Sequence, residues 1–337
     1  MSLIAGEHNR KSCKPLISIV LLVYNGENYI QKCAFSVRGQ SYSEIEIIVV
    51  DNGSIDRSMQ ILKSTYPNWT YVEHKDNVGF AAGMNSGIRI ARGDYIVPLN
   101  QDVYLEENFV DKCFNIMETR TRAGALGAEE YKWAGGKLTD ELRSPGPALF
   151  LRLRIKGVML KIGPPIAKSF GVNGSFPFLR KEALIELKKL DGHVYDPAFF
   201  SGWEDQDLWW RMQLRGWECY ATQETKAWHV GSSFDDEKQA FVAKSTHYQK
   251  WIMRNRWFVI LKNIPLFVLL LLTPLLLLME FILPLYFLFR TPRSFGAWLD
   301  SWKEIISSFH TIFEKRRIIQ ESRILSSFQI MMWFKRI

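Results

Sequence analysis

Between Leu16 and Leu99 short apolar runs alternate with stretches of helical periodicity, and that alternation leaves few folds open. Leu16 to Tyr24 is dense in β-branched residues and closes on Asn25-Gly26, as a buried parallel strand and its turn would. Ile30, Cys33, Ala34 and Val37 then fall on one face of a helix. Ile45 to Val50 is a second strand, ending in Asp51-Asn52-Gly53-Ser54. Ser54 is placed to cap a helix with Ile55, Met59, Leu62 and Tyr66 on its apolar face. A third strand is expected around Tyr71-Val72, then a helix through Asn85 and Ile88, and a fourth strand over Tyr95 to Leu99. The spacing predicts right-handed crossovers and a mostly parallel α/β sheet. In such sheets the ligand crevice lies at the carboxyl ends of the strands. Tyr24 and Asn25, Asp51, and Asp102 follow three of these strands. Any one of them is explained by turn or cap chemistry; three together point to a site.

Two acidic clusters about a hundred residues apart carry the chemistry: Asn100-Gln101-Asp102, and Glu204-Asp205-Gln206-Asp207 ahead of Leu208-Trp209-Trp210-Arg211. A carboxylate at a strand tip can hold a divalent cation against a diphosphate. A second carboxylate can take the proton of an attacking hydroxyl. Together they suggest group transfer from a nucleotide donor. On a helix Asp205 and Asp207 point apart, and Asp207 stands four residues before Arg211, which favours a structural ion pair. The segment Arg120 to Ser169 carries Gly135-Gly136, Pro145-Gly146-Pro147 and Gly163-Pro164-Pro165, and long loops are expected there.

With 47% hydrophobic and 23% charged residues the chain of 337 is globular, and its net charge of +8 favours anionic partners. It shows no zinc-finger spacing or aromatic RNA-binding signature, so nucleic acid is not an expected partner. Cys13, Cys33, Cys113 and Cys219 are scattered without a CxxC pair, as reduced cytosolic thiols would be. Residues 1–14 form a polar leader without an apolar core, so the catalytic part is expected on the cytoplasmic side.

The ordered set Val23-Tyr24-Asn25, Val49-Val50-Asp51-Asn52-Gly53-Ser54, Asn77-Val78-Gly79-Phe80 with Asn85, Leu99-Asn100-Gln101-Asp102-Val103 and Trp203-Glu204-Asp205-Gln206-Asp207-Leu208 resembles the inverting family 2 glycosyltransferases of the GT-A fold. The likeness runs over roughly Pro15 to Phe234 and is nearest to the bacterial rhamnosyltransferase-like branch. It implies a Rossmann-like domain over residues 15–235. It further implies a nucleotide-diphosphate sugar as donor, dTDP-rhamnose first, and a Mg²⁺ or Mn²⁺ cofactor. Tyr24, Asn25, Asp51, Asn77, Gly79, Asn85, Asn100 and Asp102 would then bind donor, with Tyr24 against the base and Asp51 accepting from its ring. Asp102 stands at the cation-binding position of the family's DxD motif. Asn100 departs from its first position and offers only a neutral oxygen. Asp205 matches the catalytic base, with Glu204 beside it. His229 stands where some members supply a further metal or diphosphate contact; a structural role is the alternative.

A basic helical connector over residues 236–263 leads to an apolar segment, Ile264 to Phe289, long enough to cross a bilayer. Pro265, Pro274 and Pro284 punctuate it and Glu280 lies inside it. Lys250, Arg254, Arg256 and Lys262 precede it, and Arg290 and Arg293 follow. A single span would strand one basic flank on the wrong side, so a re-entrant helix bent at Pro274 or an interfacial one is preferred. In the tail, residues 290–337, Trp298, Trp302, Ile305, Phe309 and Ile312 recur at helical spacing among Lys303 and Lys315-Arg316-Arg317. That stripe suits either an anionic lipid surface or packing on the catalytic domain. Membrane attachment would match a lipid-linked, polyprenyl-diphosphate glycan as acceptor. The competing readings are a nucleotidyltransferase, for which no Gly-rich triphosphate loop is present, and a catalytically degenerate scaffold.

Overall fold

The computed structural model describes residues 14–142, 164–231 and 241–334. The expected leader, the loop expected at Pro145-Gly146-Pro147, Gly163, and the start of the expected connector lie outside the described residues. The first part follows the expected order: β1 (Ile17–Val23), α1 (Ile30–Arg38), β2 (Ile45–Asp51), α2 (Ser58–Thr65), β3 (Thr70–Glu73), α3 (Phe80–Ile90) and β4 (Tyr95–Asn100). Strands β3, β2, β1 and β4 are parallel neighbours. Every β1 side chain is buried, because helices cover both faces of the sheet. Val20 and Leu22 enter one core with Met84 and Ile88 of α3; Ile19, Leu21 and Val23 enter the other with Ile30, Cys33 and Val37 of α1.

Ser54 does not cap α2. Its hydroxyl accepts the Asn25 N–H at 3.1 Å and its own N–H donates to Asp51, so it ties two strand ends together. Asp56 takes over the cap, accepting from the Ser58 N–H and hydroxyl. Ile55 is accordingly 93% exposed rather than core.

The sheet continues through β5 (Val103–Leu105), α4 (Phe109–Glu118), β6 (Ala123–Ala134), β7 (Lys137–Leu142), β8 (Ile166–Ser169), β9 (Phe178–Arg180), α5 (Lys181–Asp191), α6 (Glu204–Leu214) and β10 (Glu218–His229). The strand order is β3-β2-β1-β4-β9-β6-β10-β5, with β7 on β6 and β8 on β10. In the described part of the stretch after Arg120 that precedes residue 143, β6 and β7 form a hairpin where a long loop was expected. Its turn, Gly135-Gly136, has φ of 56° and 74°, a conformation that favours glycine at both positions. The sequence does not mark β6 as a strand because Ala, Gly, Glu and Lys, which dominate it, are weak strand formers.

After β10 come α7 (Thr246–Asn263), α8 (Leu266–Arg290), α9 (Pro292–Ser307), α10 (Phe309–Glu321) and α11 (Ser327–Phe334). The apolar segment is one unbroken helix of 25 residues, about 37 Å long, with Pro274 and Pro284 inside it, so no hairpin forms at Pro274. The Thr273 hydroxyl turns back to the Leu269 carbonyl in the turn that Pro274 interrupts.

The four charges that precede it are used inside the protein. Lys250 and Arg254 pair with Glu304, Arg256 with Glu280, and Lys262 with Asp196 and Asp207. The tail's tryptophans turn inward as well: Trp298 and Trp302 both donate to Glu280, and Ile305 and Ile312 are buried. Packing on the body of the protein claims the tryptophans and isoleucines of that stripe, while Phe309 stays 38% exposed.

Candidate active site

Three strand ends meet at the carboxyl edge. Val23 lies opposite Asp51 and Leu22 opposite Asn100 in the parallel ladders, which brings Tyr24, Asn25, Asp51 and the Asn100-Asp102 turn together. Gln101 seals the junction, accepting the Tyr24 N–H at 2.8 Å and donating to the Tyr24 carbonyl at 2.9 Å. The Tyr24 ring stays 44% exposed beside it, while Asp51 is buried. Asn52 holds the next wall: its amide donates to Asn77 Oδ1 and the Gly79 carbonyl and accepts the Val78 N–H. Gly79 has φ +88° where a Cβ would strike Phe200, so the segment 77–80 can pass close only with glycine there. Asn85 is engaged within the protein. Its amide is spent on Tyr195, donating to the carbonyl at 2.6 Å and accepting the N–H at 3.0 Å. It anchors the chain leading to the second acidic cluster.

Asp102 is paired with His229, Nε2 to Oδ1 at 3.2 Å, and its other oxygen accepts the Gly231 N–H. The opposite ring nitrogen of His229 lies 2.6 Å from Glu130. Burial alone would lower the His229 pKa, but the two carboxylates outweigh it and raise it to about 9. Burial likewise opposes charge on Asp102, and the imidazolium more than offsets it. Among the described residues no three acidic, histidine or cysteine side chains form a ready cation cage. The donor set nevertheless fits a cation completed by substrate oxygens: the Asn100 Oδ1 beside Asp102 is buried without a partner, and Glu130 orients His229 as a carboxylate behind a metal-bound histidine does.

The second cluster opens α6. Trp203, just before it, has φ 72°, and Phe200 has φ 59°, both uncommon for residues with a side chain. The Asn255 amide of α7 holds this strained loop by donating to the carbonyls of Phe199, Ser201 and Gly202, and Arg254 reaches Ala198 and Phe199. Helix α7, within the expected basic helical connector, thus also braces the loop ahead of Glu204. Glu204 is buried, with Oε2 unpartnered. Burial and then the charge of Asp205 push Glu204 up to about 8. Burial also raises Asp205, against hydrogen bonds from Gln206 that favour its ionised form. Asp207 faces away, bound by Arg211 at 2.8 Å, Lys262 at 2.9 Å and Asn263 at 2.8 Å, the structural pairing its spacing suggested.

One segment joins the clusters. In the turn before Phe176, Asn173 donates to Glu130, behind His229, and the Ser175 carbonyl accepts the Asn100 N–H at 2.9 Å. Between them Gly174 lies against Asp205: a Cβ there would come within 2.7 Å of Oδ2 and 2.9 Å of the Asp205 Cβ. Asn173, Gly174, Glu130 and Asn255 were invisible as site residues in the sequence. Gly174→Ala should therefore displace Asp205 while sparing the donor side. We expect a fall in turnover of at least about tenfold with an unchanged donor-induced melting shift, checked by paired kinetics and thermal denaturation.

A mostly parallel sheet with polar residues gathered at its carboxyl edge and a paired acidic helix start defines a GT-A type fold. The chain matches the profile of glycosyl transferase family 2 over residues 18–187 and belongs to that family. It is 32% identical over 134 residues to a chondroitin synthase of Pasteurella multocida (strain Pm70), covering 35% of this chain and 14% of that protein. It is 37% identical over 100 residues to the putative glycosyltransferase EpsH of Bacillus subtilis (strain 168), covering 29% of each. The chain thus spans well under two thirds of these relatives. Among solved structures, S. aureus TarS superposes with a TM-score of 0.56 at 16% identity, over 91% of this chain and 52% of that one. GalNAc-T7 with UDP, GalNAc and Mn²⁺ superposes at 0.55 and 14% identity, over 73% of this chain and 47% of that one. Both show the fold.

Proposed function

We propose that the protein is an inverting glycosyltransferase that moves one sugar from a nucleotide-diphosphate donor to a hydroxyl of a lipid-linked glycan at the cytoplasmic face of a membrane. The carrying observation is the 173–175 segment, which touches the Asp102–His229–Glu130 cluster at one residue and Asp205 at the next. A donor-diphosphate site and a proton acceptor in one crevice are what a single displacement at an anomeric carbon requires.

In this mechanism Tyr24, Asn25, Asp51 and the 77–79 segment seat the nucleotide. Asp102, with Asn100 and, once its Nε2 proton has left, His229, would hold a divalent cation, which when bound offsets charge on the departing diphosphate. Asp205 accepts the proton of the acceptor hydroxyl as its oxygen attacks the face opposite the leaving group. Glu204, protonated near neutral pH, leaves that role to its neighbour. The donor of first choice is dTDP-rhamnose, on the resemblance of the motifs. A UDP-hexose is the second reading, favoured by the UDP in the GalNAc-T7 and TarS complexes.

Thermal denaturation of the detergent-purified protein across nucleotide sugars, with and without Mg²⁺ or Mn²⁺, tests this. One donor is expected to raise the melting temperature in the presence of cation, and Asp102→Ala to lose that rise. The absence of any shift across dTDP, UDP and GDP sugars would favour a degenerate scaffold.

A further inference from the structure

The outward face of α8 is bare. Leu270, Leu271, Leu277, Leu278, Phe281 and Phe289 are each more than half exposed. The one acid of the helix, Glu280, points the other way, where Arg256 pairs with it and Trp257, Trp298 and Trp302 donate to it. A transverse span would have to break that clamp, or draw α7 and α9 into hydrocarbon with it. Lying in the plane of the bilayer surface, α8 keeps the clamp and buries only its apolar side.

At the amino-terminal end of α8 a cleft of about 460 Å³ opens between Leu266 and the end of α10. Leu266 and Phe313, both more than half exposed, form its apolar lip; Arg316, Arg317 and Arg323 line it, with Glu321 the one acid among its walls. None of the three arginines has a carboxylate partner among the described residues. Arg316 donates to the carbonyls of Leu261 at 2.6 Å and Ile264 at 2.9 Å, and Arg323 to the Ser327 hydroxyl. Those bonds fix two of the guanidinium groups in place without neutralising them. Burial, and then the charge of Arg323, disfavour the charged form of Arg316, a penalty that a bound anion relieves.

We propose that this cleft binds the phosphate of an acidic membrane lipid while α8 lies in the adjoining leaflet. Planar guanidinium groups match phosphate oxygens in pairs. The apolar lip continues into the exposed face of α8, so the ligand must carry its phosphate at an apolar boundary. That selects a lipid headgroup over a soluble phosphate. The proposal deepens the function given above and rests on its membrane-bound acceptor; it does not depend on which sugar is moved.

Flotation of the full-length protein with phosphatidylcholine vesicles, and with vesicles that also contain phosphatidylglycerol, tests it. The wild type should prefer the acidic vesicles, and Arg316→Gln/Arg317→Gln/Arg323→Gln should lose that preference. About fivefold per arginine gives roughly a hundredfold for three. Binding to neutral vesicles and the donor-induced melting shift should be unchanged. Arg317→Gln alone, at an exposed side chain without a partner among the described residues, should lose about fivefold and covers the case in which the triple variant fails to fold. Equal binding of the wild type to both vesicles, or an acidic preference kept by the triple variant, would overturn the cleft. Inorganic phosphate that raises the melting temperature of the wild type but not of the triple variant, with no acidic-vesicle preference, would assign the cleft to a soluble anion. No flotation with either vesicle would overturn both the cleft and the membrane acceptor, whereas a donor shift in the same protein would leave sugar transfer standing.

Discussion

Asp205→Asn is expected to lower transfer by about 10²- to 10⁴-fold, the usual range for loss of a general base, while the donor-induced melting shift persists. Glu204→Gln is expected to keep most of the activity near neutral pH. The contrast follows from environment, since the two carboxyls are neighbours in sequence. Glu204 keeps its proton up to about 8, because burial and then the Asp205 charge oppose its ionisation, whereas Gln206 supports the charged form of Asp205. Activity should therefore rise with pH as Asp205 loses its proton, with a midpoint above that of an ordinary aspartate. The stability sign runs the other way. A carboxyl whose folded pKa is raised from 4.5 to about 8 stabilises the fold below the lower value and loses that contribution as pH climbs through the upper one. Wild-type protein should lose stability across that window, and Glu204→Gln should lack the slope, gaining at least about 1 kcal/mol at the alkaline end. Kinetics and melting temperatures as a function of pH check both statements. Full turnover in Asp205→Asn would remove it as the base.

The second large effect is on stability. Asp207→Ala should cost about 3–5 kcal/mol, because it leaves Arg211 and Lys262 short of a carboxylate in a site closed to water. Asp196, held by Lys262 and Lys315 at 2.6 Å each, belongs to the same network. Burial opposes the charge of both aspartates, but Lys262 foremost outweighs it and holds both below the usual range. Depressed carboxyls stabilise above their unfolded pKa, about 3.9, and the contribution fades as pH falls through the folded values. Wild type should thus lose stability below about pH 4, and Asp207→Ala should show a shallower acid slope. Denaturant unfolding at several pH values measures both. A cost under about 1 kcal/mol would mean that water or rearranged partners compensate the cations. The network matters beyond stability because it bolts α7 and α10 to the stretch that carries Glu204 and Asp205.

Much of the β1–β4 half was legible in the chain itself. Dense β-branched runs and helical periodicity placed β1 through β4, and the polar residues after them fell at the expected edge. The i to i+4 spacing of Asp207 and Arg211 foretold their pairing, because a helix brings such residues together regardless of context. Local patterning of this kind depends on neighbours in sequence, and so survives being read without a fold. Glu130, Gly174 and Asn255 carried no such mark. Glu130 stands in a strand of weak strand formers, Gly174 matters only because Asp205 packs on it, and Asn255 only because three carbonyls converge on its amide. The C-terminal region shows the same division. Hydropathy alone marked Ile264 to Phe289 as apolar, but charge counting put four basic residues on its flank that the fold consumes in ion pairs. The lipid-like stripe of the tail proved to be the partner of α7 and α8. Which face of an apolar helix is left bare, and which charges remain unpaired, are set by contacts between residues far apart in the chain. Only the tertiary structure could decide them.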